Sequence, residues 1–231
     1  MWAIVPIKDL GTAKRRLSDV LDEHARRSLC RAMCEDVLTA LAGAEGLDGI
    51  LVVTGDADVK TLAQSYGAKV LDDSECKGLN AAVRAGIAHV KELGSNSVMI
   101  VHGDAPLATA AEFKQVIDTH KAAAQDKAAV TIVPARDMGG TNCMAVSPPD
   151  LLPLCYGEGS YRKHLNQAAD QGVAAETLKL EGIGLDIDTR ADLEVLVATP
   201  VENLAHKALK ELGVAQRLSR PGDHSQTALT A

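Results

Sequence analysis

The feature that most constrains this chain is an alternation of short apolar runs with longer segments of helical spacing. The runs are rich in β-branched residues and cover residues 3–7, 50–54, 69–71, 97–102 and 128–134. Between them, residues 23–41, 58–66, 79–93 and 112–124 place apolar side chains at helical intervals. Strands buried on both faces and separated by helices predict an α/β three-layer sandwich with a mostly parallel sheet. Ligands bind such sheets at the carboxyl ends of the strands, so the residues that follow each strand are the functional candidates.

The later part of the chain predicts a smaller annex. Residues 142–146 are expected to form a short strand and residues 182–188 the last strand, and Thr189–Asp192 has the form of a capping box that opens a helix to about residue 197. We expect one main domain over residues 1–200, a C-terminal helix within 201–218 and a disordered polar tail over 219–231. Residues 202–212 could pack on their own chain or on a partner.

Charge and aromatic content limit the partners. The 231 residues include 24 Lys and Arg against 31 Asp and Glu, a net charge of −7, and only 2% are aromatic. Nucleic-acid binding favours a basic surface and stacking side chains, so a nucleic-acid partner is not expected. A few local lysines can still hold one triphosphate in an acidic protein.

The apolar runs and the cysteines indicate the compartment. No run approaches the roughly 20 residues of a membrane span, and the N-terminus begins a strand instead of a signal peptide. None of the five cysteines forms a C-x-x-C pair, and Cys30 and Cys34 stand one helical turn apart, as expected of two reduced thiols. We expect a cytoplasmic protein without a membrane partner.

Two lysines follow the first strand. Lys8 comes directly after it, and Lys14 lies just beyond Thr12, where a helix is expected to begin. A loop and a helix start with these cations could surround phosphates. A solvated basic stretch is an equal alternative, and the segment matches neither the Walker pattern nor G-x-G-x-x-G.

Three polar residues lie beyond the later strands, and each of them could have either a functional or a structural role. Asp56 could border a nucleotide, but a helix N-cap is favoured. Asn80 could bind a base edge through its amide, or it could be an N-cap. Asp104 follows the fourth strand in a Gly/Pro turn, where it could bind Mg²⁺ or simply shape the turn.

The last predicted strand contains Asp186 and Asp188, which would share one face. Two adjacent carboxylates repel unless a cation or donors lie between them, so this pair indicates a cation site. Alternatively, Asp188 merely precedes the cap at Thr189. Two glycine-rich segments, residues 139–142 and 157–161, could cradle a small phosphorylated acid, or they could be ordinary loops.

Taken in order, these segments resemble one family. The motifs are V-P-I-K-x4-A-K-x-R-L from residue 5, V-V-T-G-D from 52, G-L-N-A-A from 78, G-D-A-P-L from 103, G-T-N from 140, G-E-G-S-Y-x-x-H from 157 and L-D-I-D-T-x-x-D-L from 185. This pattern is similar to the guanylyltransferases that activate a three-carbon phosphoacid in biosynthesis of the deazaflavin hydride-carrier coenzyme. The resemblance covers about residues 1–197 and implies a Rossmann-like, glycosyltransferase-A type nucleotidyltransferase fold.

The resemblance also implies an activity and a site. GTP and a phosphoacid would give a guanylylated diphosphate and pyrophosphate, with Mg²⁺ as the cofactor and a homodimer as the family's assembly. Matching motif by motif implies four groups of residues: Lys8 and Lys14 on the GTP phosphates, with Lys14 catalytic; Thr54, Gly78 and Asn80 at the nucleoside; Asp104, Asp186 and Asp188 at the metal, with Asp104 and Asp188 catalytic; and Thr141, Asn142, Gly157, Gly159 and Ser160 at the phosphoacid.

Two departures from the family pattern bear on the acceptor. Ala105 replaces the leucine of the usual acid-Leu-Pro motif, which leaves Asp104 in place. Cys143 and Met144 follow G-T-N, where relatives often carry small or hydroxylated residues, and this could reshape the acid pocket. The change favours 3-phospho-D-glycerate or phosphoenolpyruvate over 2-phospho-L-lactate.

Three alternatives remain. A molybdenum-cofactor transferase normally opens with a glycine-rich loop, but residues 7–11 read I-K-D-L-G. A sugar-phosphate nucleotidyltransferase would share the fold with a different acceptor. A non-catalytic nucleotide-binding regulator would be favoured by loss of the three aspartates, which are all present.

Overall fold

The computed structural model describes residues 1–125 and 127–218, which form an α/β fold with a single mixed sheet. The strands are β1 (Trp2–Pro6), β2 (Gly49–Val53), β3 (Lys69–Leu71), β4 (Val98–Val101), β5 (Ala129–Pro134), β6 (Thr141–Ser147) and β7 (Glu176–Thr177). The helices are α1 (Glu23–Ala42), α2 (Ala57–Ser65), α3 (Leu79–Glu92), α4 (Ala110–Ala124), α5 (Ser160–Asp170), α6 (Glu181–Gly184), α7 (Arg190–Ala198), α8 (Leu204–Glu211) and α9 (Val214–Leu218). The elements predicted before residue 134 match the observed ones to within about two residues, apart from the expected helix near Thr12.

The sheet has the strand order β3-β2-β1-β4-β6-β5-β7, and only β6 runs against the other described strands. The prediction of a mostly parallel sheet is therefore confirmed. The chain builds β2 and β3 on one side of β1 and then places β4 on the other side, so the topology switches between β1 and β4. In open α/β sheets the carboxyl ends at such a switch point form the ligand crevice.

Alternate side chains of the sheet enter two separate cores. Ile4 and Leu51 pack on one face with the apolar side of α3, whereas Val5 and Val52 pack on the other with α1 and α4. Phe113 of α4 is fully buried in that second core. Helices thus cover both faces, and the predicted three-layer sandwich is confirmed.

Two predicted elements are wrong. The chain forms no regular helix near Thr12; it makes one 3-10 turn at Arg15–Leu17, because Lys14 adopts a left-handed backbone conformation (φ 55°). Residues 182–188 form no strand. Gly184 closes α6 and accepts from the Arg136 N–H, and Ile187 donates to the Asp104 carbonyl, so this segment bonds to two loops instead of the sheet.

The C-terminal helix packs on its own chain. The Asp36 carboxylate of α1 accepts the first N–H groups of α8, from Leu204 at 2.9 Å and Ala205 at 2.8 Å. Of the two alternatives for residues 202–212, the structure shows packing on their own chain. The boundary at residue 200 stays a prediction, and the predicted tail over 219–231 lies outside the described residues. Across residues 1–125 and 127–218, no helix combines the length and apolarity that crossing a bilayer requires.

Candidate active site

The centre of the site is a lysine held between two carboxylates. Lys14 Nζ lies 2.6 Å from Asp104 Oδ2 and 2.5 Å from Asp188 Oδ1, and the lysine side chain is only 8% exposed. Burial alone lowers the pKa of Lys14, but the two carboxylates outweigh it and raise the pKa above its ordinary value. The chain therefore holds a permanent positive charge where the loops after β1 and β4 meet the segment after α6.

Asp186 stands beside this triad. Its Oδ1 accepts from the Asn142 amide at 3.0 Å, and the same amide donates to the Ile183 carbonyl. Burial, with the Asp104 charge adding to it, raises the pKa of Asp186. Asn142 thus positions Asp186 in this structure, and its predicted contact with the phosphoacid stays a prediction.

The carboxylates suit Mg²⁺. Asp104 Oδ1 is buried and has no hydrogen-bond partner, so one oxygen remains available for a cation. Within the described part of the chain no three His, Cys, Asp or Glu side chains group closely enough to enclose a metal. Mg²⁺ usually takes one or two carboxylates together with phosphate oxygens and water, and Asp104 and Asp188 fit that pattern.

A cleft of about 630 Å³ lies next to the triad on the β1–β2 side. Lys8 and Gly78 line it, and Arg27 of α1 enters it near Asp56 and Asp58. A cavity of about 370 Å³ adjoins it, shares Lys8 and contains the Lys14, Asp104 and Asp188 side chains. The two spaces together form a cleft that leads to the carboxylates, with Lys8 lining both parts.

A larger groove of about 900 Å³ lies between α1 and the C-terminal helices. Its lining contains none of the predicted site residues. We place the candidate site at the carboxyl edge of the sheet, because the paired charges and the switch point meet there and not in the larger groove.

Two residues predicted at the nucleoside are engaged inside the protein. Thr54 is fully buried, and its hydroxyl accepts from the Asp56 N–H. The Asn80 amide bonds both backbone groups of Tyr156, at 2.9 Å and 3.3 Å. Their contact with a guanine stays a prediction. Asn80 as an N-cap is wrong, because Gly78 caps α3, whereas Asp56 caps α2 as favoured.

The predicted acid-binding residues lie at the same edge of the sheet. Because β6 is antiparallel, its first residue, Thr141, lies beside the end of β4. The Thr141 hydroxyl bonds His164 Nδ1 at 3.0 Å, and Ser160 begins α5 in a buried position. Gly157 and Gly159 adopt positive φ angles of 124° and 68°, which L side chains rarely adopt. Their role in binding the acid stays a prediction.

Sequence reasoning did not single out three residues of this region: Arg27, His102 and Tyr156. The His102 ring contacts the Tyr156 ring, with centroids 5.2 Å apart, and His102 lines the cavity of the triad. The position of His102 directly after β4 was a usable signal. Arg27 and Tyr156 depend on how distant elements pack, which no local pattern encodes.

Comparisons with known proteins show which family this chain is similar to. The family model described as "Guanylyl transferase CofC like" matches residues 1–228. A phosphoenolpyruvate guanylyltransferase of Conexibacter woesei is 38% identical over 84% of this chain and 86% of its own length. A 2-phospho-L-lactate guanylyltransferase of Methanothermobacter thermautotrophicus is 30% identical over 98% of this chain and 97% of its own.

Solved structures give the same fold. A putative nucleotide-diphospho-sugar transferase from Desulfovibrio desulfuricans superposes with a TM-score of 0.74 at 17% identity, covering 94% of this chain and 97% of its own. A nucleotidyl transferase from Methanothermobacter superposes with a TM-score of 0.62 at 19% identity, covering 84% and 94%. With the matched family model, this shows that the chain is a nucleotidyltransferase and belongs to the CofC-like guanylyltransferase family.

Proposed function

We propose that this protein transfers GMP from GTP to a three-carbon phosphoacid and releases pyrophosphate, as a step in biosynthesis of the deazaflavin hydride-carrier coenzyme. The observation that carries the proposal is the Lys14–Asp104–Asp188 triad at the topological switch point, beside a cleft lined by Lys8, in a chain of the guanylyltransferase family.

The favoured acceptors are 3-phospho-D-glycerate and phosphoenolpyruvate, with 2-phospho-L-lactate as the third candidate. Several relatives at 35–38% identity are named phosphoenolpyruvate guanylyltransferases, which supports the second acid. Cys143 and Met144, which prompted the preference, are buried in the two opposite cores of the sheet. They would act on the acid pocket by shaping β6 and not by touching the substrate.

The reaction needs no protein nucleophile. A phosphate oxygen of the acid attacks the α-phosphorus of GTP, one P–O bond forms, and the bond from the α-phosphorus to the oxygen that bridges to the β-phosphate breaks. The electron pair leaves with pyrophosphate. Because two anions must approach in line, positioning and charge neutralisation dominate the barrier.

The chain supplies that neutralisation from residues on three loops. Lys8 lines both the cleft and the cavity, where it would bind the triphosphate, and Lys14 would move from the carboxylates toward the leaving pyrophosphate. Asp104 and Asp188 would hold Mg²⁺, and Asp186, held by Asn142, would support them. When bound, Mg²⁺ would supply charge neutralisation at the phosphate oxygens.

Pyrophosphate release from GTP tests the proposal when each of the three phosphoacids is supplied in turn, with Mg²⁺. We expect release that requires both GTP and one of the acids, and weaker release when CTP, UTP or ATP replaces GTP. Release with a sugar phosphate but none of the acids would assign a different acceptor class. No release with any acceptor, together with GTP binding, would indicate a regulator.

A further inference from the structure

Two buried histidines in this fold differ in one respect. His120 uses both ring nitrogens inside the protein, Nδ1 to the Thr131 hydroxyl at 3.2 Å and Nε2 to the Ser147 hydroxyl at 2.8 Å. His164 is fully buried and also bonds a threonine through Nδ1, but its Nε2 has no partner. Both ring nitrogens of His120 are therefore hydrogen-bonded inside the protein, whereas His164 leaves one buried ring nitrogen without a hydrogen bond.

Two neighbouring rings also carry a buried polar atom without a partner: Tyr156 contacts His164, and His102 contacts Tyr156. The Tyr156 ring lies 4.9 Å from the His164 ring and 5.2 Å from the His102 ring, between centroids. Tyr156 Oη and His102 Nε2 are also buried without a partner. We call His102, Tyr156 and His164 the ring cluster. A buried polar atom without a hydrogen bond destabilises a fold, so three of them on adjacent rings indicate a group that the protein itself does not provide.

The ring cluster lies between the carboxylates that are predicted to bind Mg²⁺ and the residues that are predicted to bind the phosphoacid. At one end, His102 lines the cavity that contains Asp104, whose Oδ1 is likewise unpartnered. At the other end, His164 bonds the Thr141 hydroxyl. Asn80 Nδ2 donates to the Tyr156 carbonyl and Asn80 Oδ1 accepts from the Tyr156 N–H, which fixes the backbone that carries the middle ring.

We propose that the ring cluster binds the carboxylate of the phosphoacid acceptor, through the Nε2–H groups of His102 and His164 and the hydroxyl of Tyr156. This rests on the proposed function and adds residues that the motifs did not assign. We assign His164 the tautomer in which Nδ1 accepts from Thr141 and Nε2 carries the proton. Hydrogen bonds to a charged acceptor are stronger than those between neutral groups. Binding a carboxylate would therefore offset the free-energy cost of burying these three donors without partners.

The protonation states support this arrangement. Burial lowers the pKa of His164 to about 4, so the ring is neutral at neutral pH and carries one proton. Burial also raises the pKa of Tyr156, so its hydroxyl keeps its proton. Because the unpartnered atoms are closed off from solvent, the acid would reach them only after a local opening. The exposed residues 157 and 158, directly after Tyr156, are the natural place for that movement.

The test compares Tyr156→Phe and His164→Asn with His120→Asn, a matched change in the other buried histidine. With the acid that the wild type uses, we expect KM for the acid to rise about 10-fold or more in the first two variants, with KM for GTP unchanged. The wild type should prefer the acid over glycerol 3-phosphate, which lacks the carboxylate, and both variants should lose much of that preference. His120→Asn should lower Tm but leave both properties intact.

Tyr156→Phe distinguishes an effect on acid binding from an effect on the stability of the fold. Removing an unpartnered buried hydroxyl should leave Tm unchanged or raise it, so a rise in KM for the acid reports binding. Wild-type KM and acid preference in both ring-cluster variants would overturn the inference and reduce the cluster to a site for water. If the wild type releases pyrophosphate with none of the acids, the proposed function falls first, and that result is distinct.

Discussion

Replacing Lys14 with methionine should destabilise the free protein and make its stability depend on Mg²⁺. Lys14 Nζ lies within 2.6 Å of both Asp104 and Asp188, and the lysine side chain is 8% exposed. Methionine keeps most of the apolar stem but removes the cation. The two carboxylates would then face each other with no positive charge between them.

The magnitude follows from the burial of the three groups. Removing one partner of a buried ion pair costs about 3–5 kcal/mol. Because the Asp188 side chain is 47% exposed and keeps much of its hydration, we expect a value near the lower limit, about 3 kcal/mol. A cation bound at 100 times its Kd returns about 2.7 kcal/mol, so saturating Mg²⁺ should restore most of the loss. Turnover should stay low, because the leaving pyrophosphate still lacks Lys14.

Urea unfolding of the wild type and Lys14→Met, each with EDTA and with Mg²⁺, measures this effect. Lys114→Met, which breaks an exposed ion pair with Asp118 on α4, is the matched control and should behave as the wild type. A loss under about 1 kcal/mol in EDTA for Lys14→Met, or no gain from Mg²⁺, would refute the reasoning on which this prediction rests.

Three further outcomes follow. Asp188→Asn should still fold and unfold cooperatively in urea but lower turnover by about 100-fold or more; wild-type turnover at saturating GTP and Mg²⁺ would remove Asp188 from the site. Gly182→Ala places a Cβ in collision with the Leu107 carbonyl oxygen and should cost about 3 kcal/mol in urea unfolding. Gly184→Ala, whose Cβ would lie 3.5 Å from the Pro134 carbonyl oxygen, should cost far less, and equal losses would contradict this packing. Burial lowers the folded-state pKa of His120 and His164 to about 4, below the unfolded value of 6.5, so the unfolded chain binds more protons between these values. Stability should therefore fall as pH drops from 6.5 toward 4, and a flat profile over that range would contradict it.

The sequence predicts the sheet well because its pattern is local. Strands such as β2 and β4 are continuous apolar runs, and the helices between them carry strong periodicity. The failures occur where long-range contacts decide the conformation. Lys14 takes a left-handed conformation while its side chain reaches two distant carboxylates, and residues 185–188 bond to loops that only the folded chain brings near.

For the candidate site, residue identity was predictable but pairing was not. Lys8, Lys14 and Asp104 come after strands, so their shared edge could be expected, whereas Asp186 and Asp188 follow the short helix α6. That Lys14 bridges Asp104 and Asp188 depends on a contact across 174 residues of sequence. That Asn142 holds Asp186 and Asn80 holds Tyr156 likewise depends on side-chain orientation in the packed fold. No local spacing encodes those orientations.

The most direct test of the central claim, GMP transfer to a phosphoacid, follows the phosphorus label of GTP. The protein is incubated with Mg²⁺, one of the three acids and GTP that carries the label on either the α- or the γ-phosphate. GMP transfer predicts α-label in an acid-containing diphosphate product and γ-label in pyrophosphate. An acid-containing product that carries the γ-label would contradict this account. So would an α-label that remains in free nucleotide with each of the three acids.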